Sequence, residues 1–258
     1  MLMVAGALGK AMKQTMKILG VIPARFKSTR FEGKPLALID GVPMIKRTYL
    51  QVAESSFLSD IVVATEDCRI FDYCTSENIP VIMTSSTCLT GTDRLAEVSE
   101  KIQADLYVNI QGDEPVIDPK SIEQVVELYH ATAGKYEIYN LYKVITDIEE
   151  VNSNTIVKVI VNEQDEVMYM SRLPIPYSNG AHESVFKQQI PVYAFTKKAL
   201  KTFSSYQKTL NEKIEDVEIL RFVDLGYKVK MAETKVNSIA VDVPSDIGKV
   251  ERFLNSQI

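Results

Sequence analysis

Neither of the glycine signatures that commonly hold nucleotide phosphates occurs in this chain of 258 residues. Without GxxxxGK[ST] it is not a P-loop hydrolase, and without GxGxxG it is not a dinucleotide oxidoreductase. Histidine is scarce, with His130 and His182 alone, so neither a histidine general base nor a Ser-His-Asp relay for covalent catalysis is expected. The three cysteines, Cys68, Cys74 and Cys88, form no CxxC pair and no even framework. A reducing, cytoplasmic setting follows, with each thiol read as buried. No apolar run approaches the roughly 18 residues of a membrane span. The opening MLMVAGALGKAMKQTM has no basic region ahead of its apolar stretch, so residues 1–16 read as an N-terminal extension or upstream start and not as a signal peptide. The net charge of −5 provides no field for nucleic acid.

What is present suits one α/β domain over 17–258, since 46% hydrophobic residues can fill a full core. KILGVIP (17–23), LSDIVVAT (58–65), IPVIMT and DLYVNIQ (105–111) read as strands. The segments between them, GVPMIKRTYLQVAES, CRIFDYCTSEN and TDRLAEVSEKIQ, carry helical spacing. This alternation predicts a mainly parallel sheet covered by helices. From about Tyr136 to Phe195 the strands become β-branched and aromatic, and an antiparallel sub-lobe is expected there. IEDVEILRFVDLG is predicted as one helix ending at Gly226.

The chemistry concentrates after the first strand. IPARFKSTRFEGKPL sets Arg25, Arg30 and Lys34 among Ser28, Thr29 and Gly33, a loop of permanent cations, hydroxyls and open backbone N–H groups suited to polyphosphate. A solvated basic connection is the plain alternative. QGDEP presents Asp113 at the carboxyl end of a buried strand, and IAVDVPSD presents Asp242 after another. Two such acids could hold Mg²⁺, which takes one or two protein carboxylates with phosphate and water. Either could instead cap a turn. Asp246 is read as the cap of the final helix.

These motifs resemble the 3-deoxy-manno-octulosonate cytidylyltransferases, through IPARFKSTRFEGKPL, VVATED, GTDRLAEV, VNIQGDEPVI, YMSRLPIPY and VDVPSD in order over roughly residues 17–255. The resemblance implies a nucleotidyltransferase fold with a mixed, mainly parallel sheet, a homodimer formed through the antiparallel lobe, and transfer of CMP from CTP to a 2-keto-3-deoxy sugar acid for lipopolysaccharide synthesis. It implies Asp113 and Asp242 as magnesium ligands. Arg25, Ser28, Arg30, Lys34 and Arg94 fall on the nucleotide side. Gln111, Arg172, Gln189, Tyr193, Glu215 and Glu218 fall on the sugar side, with Arg172 facing the sugar's carboxylate. Glu215, Glu218 and Arg221 are expected on one helical face, although a salt-bridged surface stripe would use the same spacing. Lys158 reads equally as a solvated strand residue, and Thr92 and Asp93 as a helix cap.

The chain departs from the family pattern near the sugar. Cys88 stands where histidine precedes the GTDR motif, Gln189 and Pro191 replace the histidine and glycine of HxGxYxY, and Ile219 replaces a glutamine. The expected acceptor is therefore 3-deoxy-manno-octulosonate (Kdo), its 8-amino counterpart or another nonulosonic acid. A uridylyl- or guanylyltransferase is disfavoured by the glycine-poor loop, and a non-catalytic nucleotide sensor by the retention of both aspartates.

Overall fold

The computed structural model describes residues 16–177 and 185–256; the extension read at 1–16 lies outside them except for Met16, as does His182. The first apolar run becomes β1 (Ile18–Ala24), followed by the cationic loop and a tight hairpin of β2 (Leu38–Ile39) and β3 (Val42–Pro43). Next come α1 (Met44–Ala53), β4 (Asp60–Thr65), α2 (Cys68–Ser76), β5 (Val81–Met83), α3 (Gly91–Lys101) and β6 (Leu106–Ile110). This is the predicted alternation, and β1 pairs in parallel with both β4 and β6. All five residues of β6 are buried, as a strand covered on both faces requires.

After α4 (Pro119–Ala131), β7 (Ile138–Val144) and the short α5 (Ile148–Asn152) precede β8 (Lys158–Val161), β9 (Val167–Ser171) and β10 (Lys187–Phe195). The chain closes with α6 (Lys197–Ser205), α7 (Leu210–Glu215), α8 (Ile219–Asp224), β11 (Val229–Glu233) and α9 (Ile247–Asn255). The main sheet runs β11-β7-β10-β6-β1-β4-β5. β10 is antiparallel to β6 and β7, while β11 is parallel to β7. The antiparallel stretch expected at 136–195 is thus largely part of the main sheet, and only the β8–β9 hairpin hangs off its path.

One face of the sheet packs on Ile45, Val52, Ile70, Cys74, Ile122 and Val125 of α1, α2 and α4. The other packs on Leu95, Val98, Leu200, Phe203, Leu220 and Phe222 of α3, α6 and α8. Both faces are therefore dry, and the open edge of chemistry is the line of strand carboxyl ends.

The single helix predicted through IEDVEILRFVDLG is two. Asp216 adopts a left-handed conformation (φ 51°, ψ 50°) and separates α7 from α8. What the break exposes, the carbonyls of Glu215 and Asp216, is taken by Arg172. The two short helices are joined instead by a buried ion pair, with Arg221 Nε and Nη2 donating to Glu212 at 2.6 Å each and the guanidinium stacked 3.6 Å from the Phe203 ring. Arg221 is 2% exposed and Glu212 1% exposed. Removing one partner strands the other charge in the interior. Glu212→Ala is expected to lower stability by about 3–5 kcal/mol, measured by urea unfolding, with Glu212→Gln losing less.

Candidate active site

The cationic loop is fastened at both ends. Gly33 is left-handed (φ 71°) and a Cβ there would meet the Phe26 ring at 3.0 Å, so the loop closes on a ring that also carries the Arg69 guanidinium 3.3 Å from its centroid. Close approach also fixes Gly112, where a Cβ would lie 2.7 Å from the Pro23 carbonyl oxygen. The QGDEP turn is thereby drawn onto the end of β1, beside the loop.

Lys34 and Arg30 each face an aspartate. Lys34 Nζ donates to Asp113 Oδ2 at 2.6 Å and to the Val241 carbonyl at 2.8 Å, and Arg30 Nη2 donates to Asp242 Oδ1 at 2.9 Å. Val241 N–H donates to the Asp113 carbonyl at 2.9 Å, so the two acid-bearing segments are bonded to each other. Asp246 is the N-cap residue of α9, as expected, but its side chain makes no capping bond there. Its Oδ2 accepts from the N–H groups of Asp242 and Val243, both at 3.0 Å, and so fixes the turn that presents Asp242.

Asp113 and Asp242 fit a magnesium ion by their donor set. They are hard oxygen ligands about one-third exposed, and magnesium takes one or two such carboxylates and completes its shell with phosphate and water. Among the described residues no cluster of three or more His, Cys, Asp or Glu side chains forms a metal site. Neighbouring Glu114 was not singled out in the sequence although QGDEP displays it. It is buried, accepts from Ser238 Oγ, and its pKa is pushed up to about 8 by desolvation and by the negative Asp113 beside it.

Arg30, Asp113 and Asp242 open onto a cleft of about 750 Å³, whose lining does not include Lys34. Of the residues expected to bind ligand, Arg30, Gln111, Asp113, Arg172, Gln189, Tyr193, Glu218 and Asp242 line it. Arg25 is exposed on the adjoining loop and donates to the Leu89 carbonyl at 3.3 Å, while Ser28 Oγ accepts from Phe31 N–H at 3.3 Å. Gln189 Nε2 donates to Tyr193 Oη at 2.6 Å, and burial raises the Tyr193 phenol far above its ordinary pKa. Pro191, with no N–H, lies where the β7–β10 register shifts between Ile190 and Tyr193, and Asn140 Nδ2 bridges the Ile190 and Val192 carbonyls at 2.7 Å each.

Four expectations need correction. Arg94 does not reach the cleft: it is 1% exposed, ion-paired with Glu66 at 2.7 Å and bonded to Thr84. Glu215 points away as well, accepting from Ser171 Oγ at 2.8 Å and Arg172 N–H at 2.9 Å. The break at Asp216 separates it from Glu218, whose carboxylate accepts from the N–H groups of Gly91 (3.2 Å) and Thr92 (2.9 Å) at the start of α3. Lys158 is no solvated strand residue. It is buried, and its ammonium is shared by the carbonyls of Ser153, Ile156 and Arg172. Among the thiols, Cys74 is buried and Cys88 half-buried, both pushed up to about 11 by burial, whereas Cys68 is exposed. Asp93 does complete a capping box with Thr90.

A cytidylyltransferase family model matches residues 19–231. The chain belongs to the cytidylyltransferase family. This cytidylyltransferase is 39% identical to the 3-deoxy-manno-octulosonate cytidylyltransferase of Protochlamydia amoebophila, over 96% of this chain and 98% of the relative. It is 38% identical to the 8-amino-3,8-dideoxy-manno-octulosonate cytidylyltransferase of Shewanella piezotolerans, over 90% and 96%. Among solved structures it is similar to CMP:2-keto-3-deoxy-manno-octonic acid synthetase complexed with CTP, with a TM-score of 0.88, 32% identity, and coverage of 94% of this chain and 100% of that one.

Glu114 gives the cytidylyltransferase a pH signature. Its folded pKa of about 8 lies above the ordinary 4.5, so between those values the folded chain keeps a proton that the unfolded chain releases, and stability falls as pH rises. Glu114→Gln is expected to flatten the metal-free stability profile from pH 5 to 8, by at most about 1.4 kcal/mol per pH unit, in thermal unfolding run across that range.

Proposed function

We propose that the chain transfers CMP from CTP to the anomeric hydroxyl of 3-deoxy-manno-octulosonate or its 8-amino counterpart, releasing pyrophosphate. The observation that carries this reading is the pairing of Lys34 with Asp113 and of Arg30 with Asp242, whose two carboxylates line a cleft of about 750 Å³. The similarity to relatives of both names supports the substrate class.

In the reaction the sugar oxygen forms a bond to the α-phosphorus, the bond from that phosphorus to the bridging oxygen breaks, and the hydroxyl proton is released. No side chain forms a covalent intermediate. Arg25, Ser28, Arg30 and Lys34 bind the triphosphate, and their fixed charges stabilise the growing negative charge of the leaving pyrophosphate. Since Arg30 and Lys34 are held by carboxylates in the free chain, nucleotide binding exchanges partners, the cations turning to phosphate. Asp113 and Asp242 are thereby freed to hold Mg²⁺, which when bound would neutralise phosphate charge and favour ionisation of the attacking hydroxyl.

Gln111, Gln189, Tyr193 and Glu218 form the acceptor side. Glu218 is anchored on α3, so a hydroxyl bonded to it is registered against the GTDR segment as well. On this reading the product feeds lipopolysaccharide synthesis in the cytoplasm, and the chain works as a homodimer through its antiparallel region. No described helix is long and apolar enough to cross a membrane.

Pyrophosphate release with CTP, Mg²⁺ and a panel of Kdo, 8-amino-Kdo and a sialic-type acid tests the reading. Turnover with one of the first two is expected, falling about 100-fold or more in Asp113→Ala. Release independent of any sugar acid, or silence matched by the variant, would refute it.

A further inference from the structure

The cations that line the cleft differ in how their charge is met. Arg30 is paired with Asp242, Lys249 with Asp246 at 2.7 Å, and Arg172 has Asp216 at 3.9 Å. Lys143 differs from these. Its Nζ donates to the neutral Asn237 Oδ1 at 3.1 Å, and among the described residues no carboxylate lies within ion-pair distance.

Two further observations converge on the same wall. Lys143, near the end of β7, is in register with Gln188 of β10, which also lines the cleft and whose amide Oε1 is buried without a donor. The bulge at Pro191 ends this stretch of pairing, because the register shifts immediately beyond Ile190. Asn237, which holds Lys143, immediately precedes Ser238, which holds Glu114 beside Asp113, so the wall is continuous with the reactive end of the cleft.

Arg172 is poorly free to act alone as the carboxylate's partner. Its Nε donates to the Glu215 carbonyl at 2.8 Å, Nη1 to the Asn154 carbonyl at 3.1 Å and Nη2 to the Asp216 carbonyl at 3.1 Å. Three of its five N–H groups are committed to fixing the break between α7 and α8 and the loop after α5. An anion arriving at Arg30 or Lys249 must displace a carboxylate first. At Lys143 it replaces only a neutral amide, and the long flexible stem lets the ammonium follow the ligand.

We propose that Lys143 is the counter-ion for the acceptor's carboxylate and that Gln188 accepts from one of its hydroxyls, making this pair across β7 and β10 the acceptor-selecting element of the cleft. The assignment rests on the sugar-acid reading of the function. Lys143 acts as a binding residue and takes no part in proton transfer.

The test is calorimetric binding of Kdo and of its C1 carboxamide to the full chain loaded with Mg²⁺ and a non-hydrolysable CTP analogue. In the unchanged chain the acid is expected to bind roughly 10- to 100-fold more tightly than the carboxamide. Lys143→Met should bring the acid down to the level of the carboxamide, Lys143→Arg should restore most of the difference, and affinity for the CTP analogue should not change in either. Discrimination that survives Lys143→Met, or that disappears in Arg172→Met alone, would overturn the proposal, as would failure of the unchanged chain to bind the acid. Pyrophosphate release is read separately. A chain that binds the acid but releases no pyrophosphate refutes the proposed reaction and still leaves the role of Lys143 decided by the binding ratio.

Discussion

The ammonium of Lys34 joins three stretches of chain that lie far apart in sequence. It belongs to the loop after β1, bonds the carboxylate that follows β6, and bonds the carbonyl of Val241 next to the second aspartate. With 15% of its side chain exposed, the group is shielded enough for its bonds to matter and close enough to the surface to change partners. The bond between Val241 N–H and the Asp113 carbonyl and the two bonds to Asp246 then leave Asp242 little freedom. The site is thus organised by internal ion pairs, which on the proposed reading give way to phosphate and metal.

The opposite wall depends on a backbone break. Because Asp216 turns left-handed, α7 can offer its carbonyls to Arg172 while α8 sends Glu218 to the first N–H groups of α3. The buried pair of Glu212 and Arg221 keeps the two helices together across the break, and Arg221 reaches Asp93 of α3 at 3.5 Å as well. A continuous helix would place Glu215 and Glu218 side by side. The observed arrangement gives one to scaffolding and the other to the cleft.

Much of this was legible in the chain because topology decides it. A buried parallel strand followed by a polar turn delivers that turn to the crevice, which is why Asp113 and the loop of Arg25, Arg30 and Lys34 could be placed from their neighbours alone. Arg94 and Glu215 could not, since their partners, Glu66, Thr84, Ser171 and Arg172, come from other elements whose packing is invisible to local pattern. The break at Asp216 carries neither glycine nor proline to announce it. Lys158 has the alternation of a surface strand and becomes buried only because three carbonyls converge on it. Lys143 did leave a sign, as the cation in the strand-like run EIYNLYKVI, but its meaning required knowing which cleft cations already had partners.

The exchange of partners at Lys34 is tested most directly by the affinity for CTP without metal. If Asp113 holds the ammonium that phosphate must take, Asp113→Asn should bind metal-free CTP more tightly than the unchanged chain, because the competing charge is gone. Equal or weaker binding by Asp113→Asn in the absence of metal would contradict the account, showing that the pair between Lys34 and Asp113 is not what the nucleotide displaces.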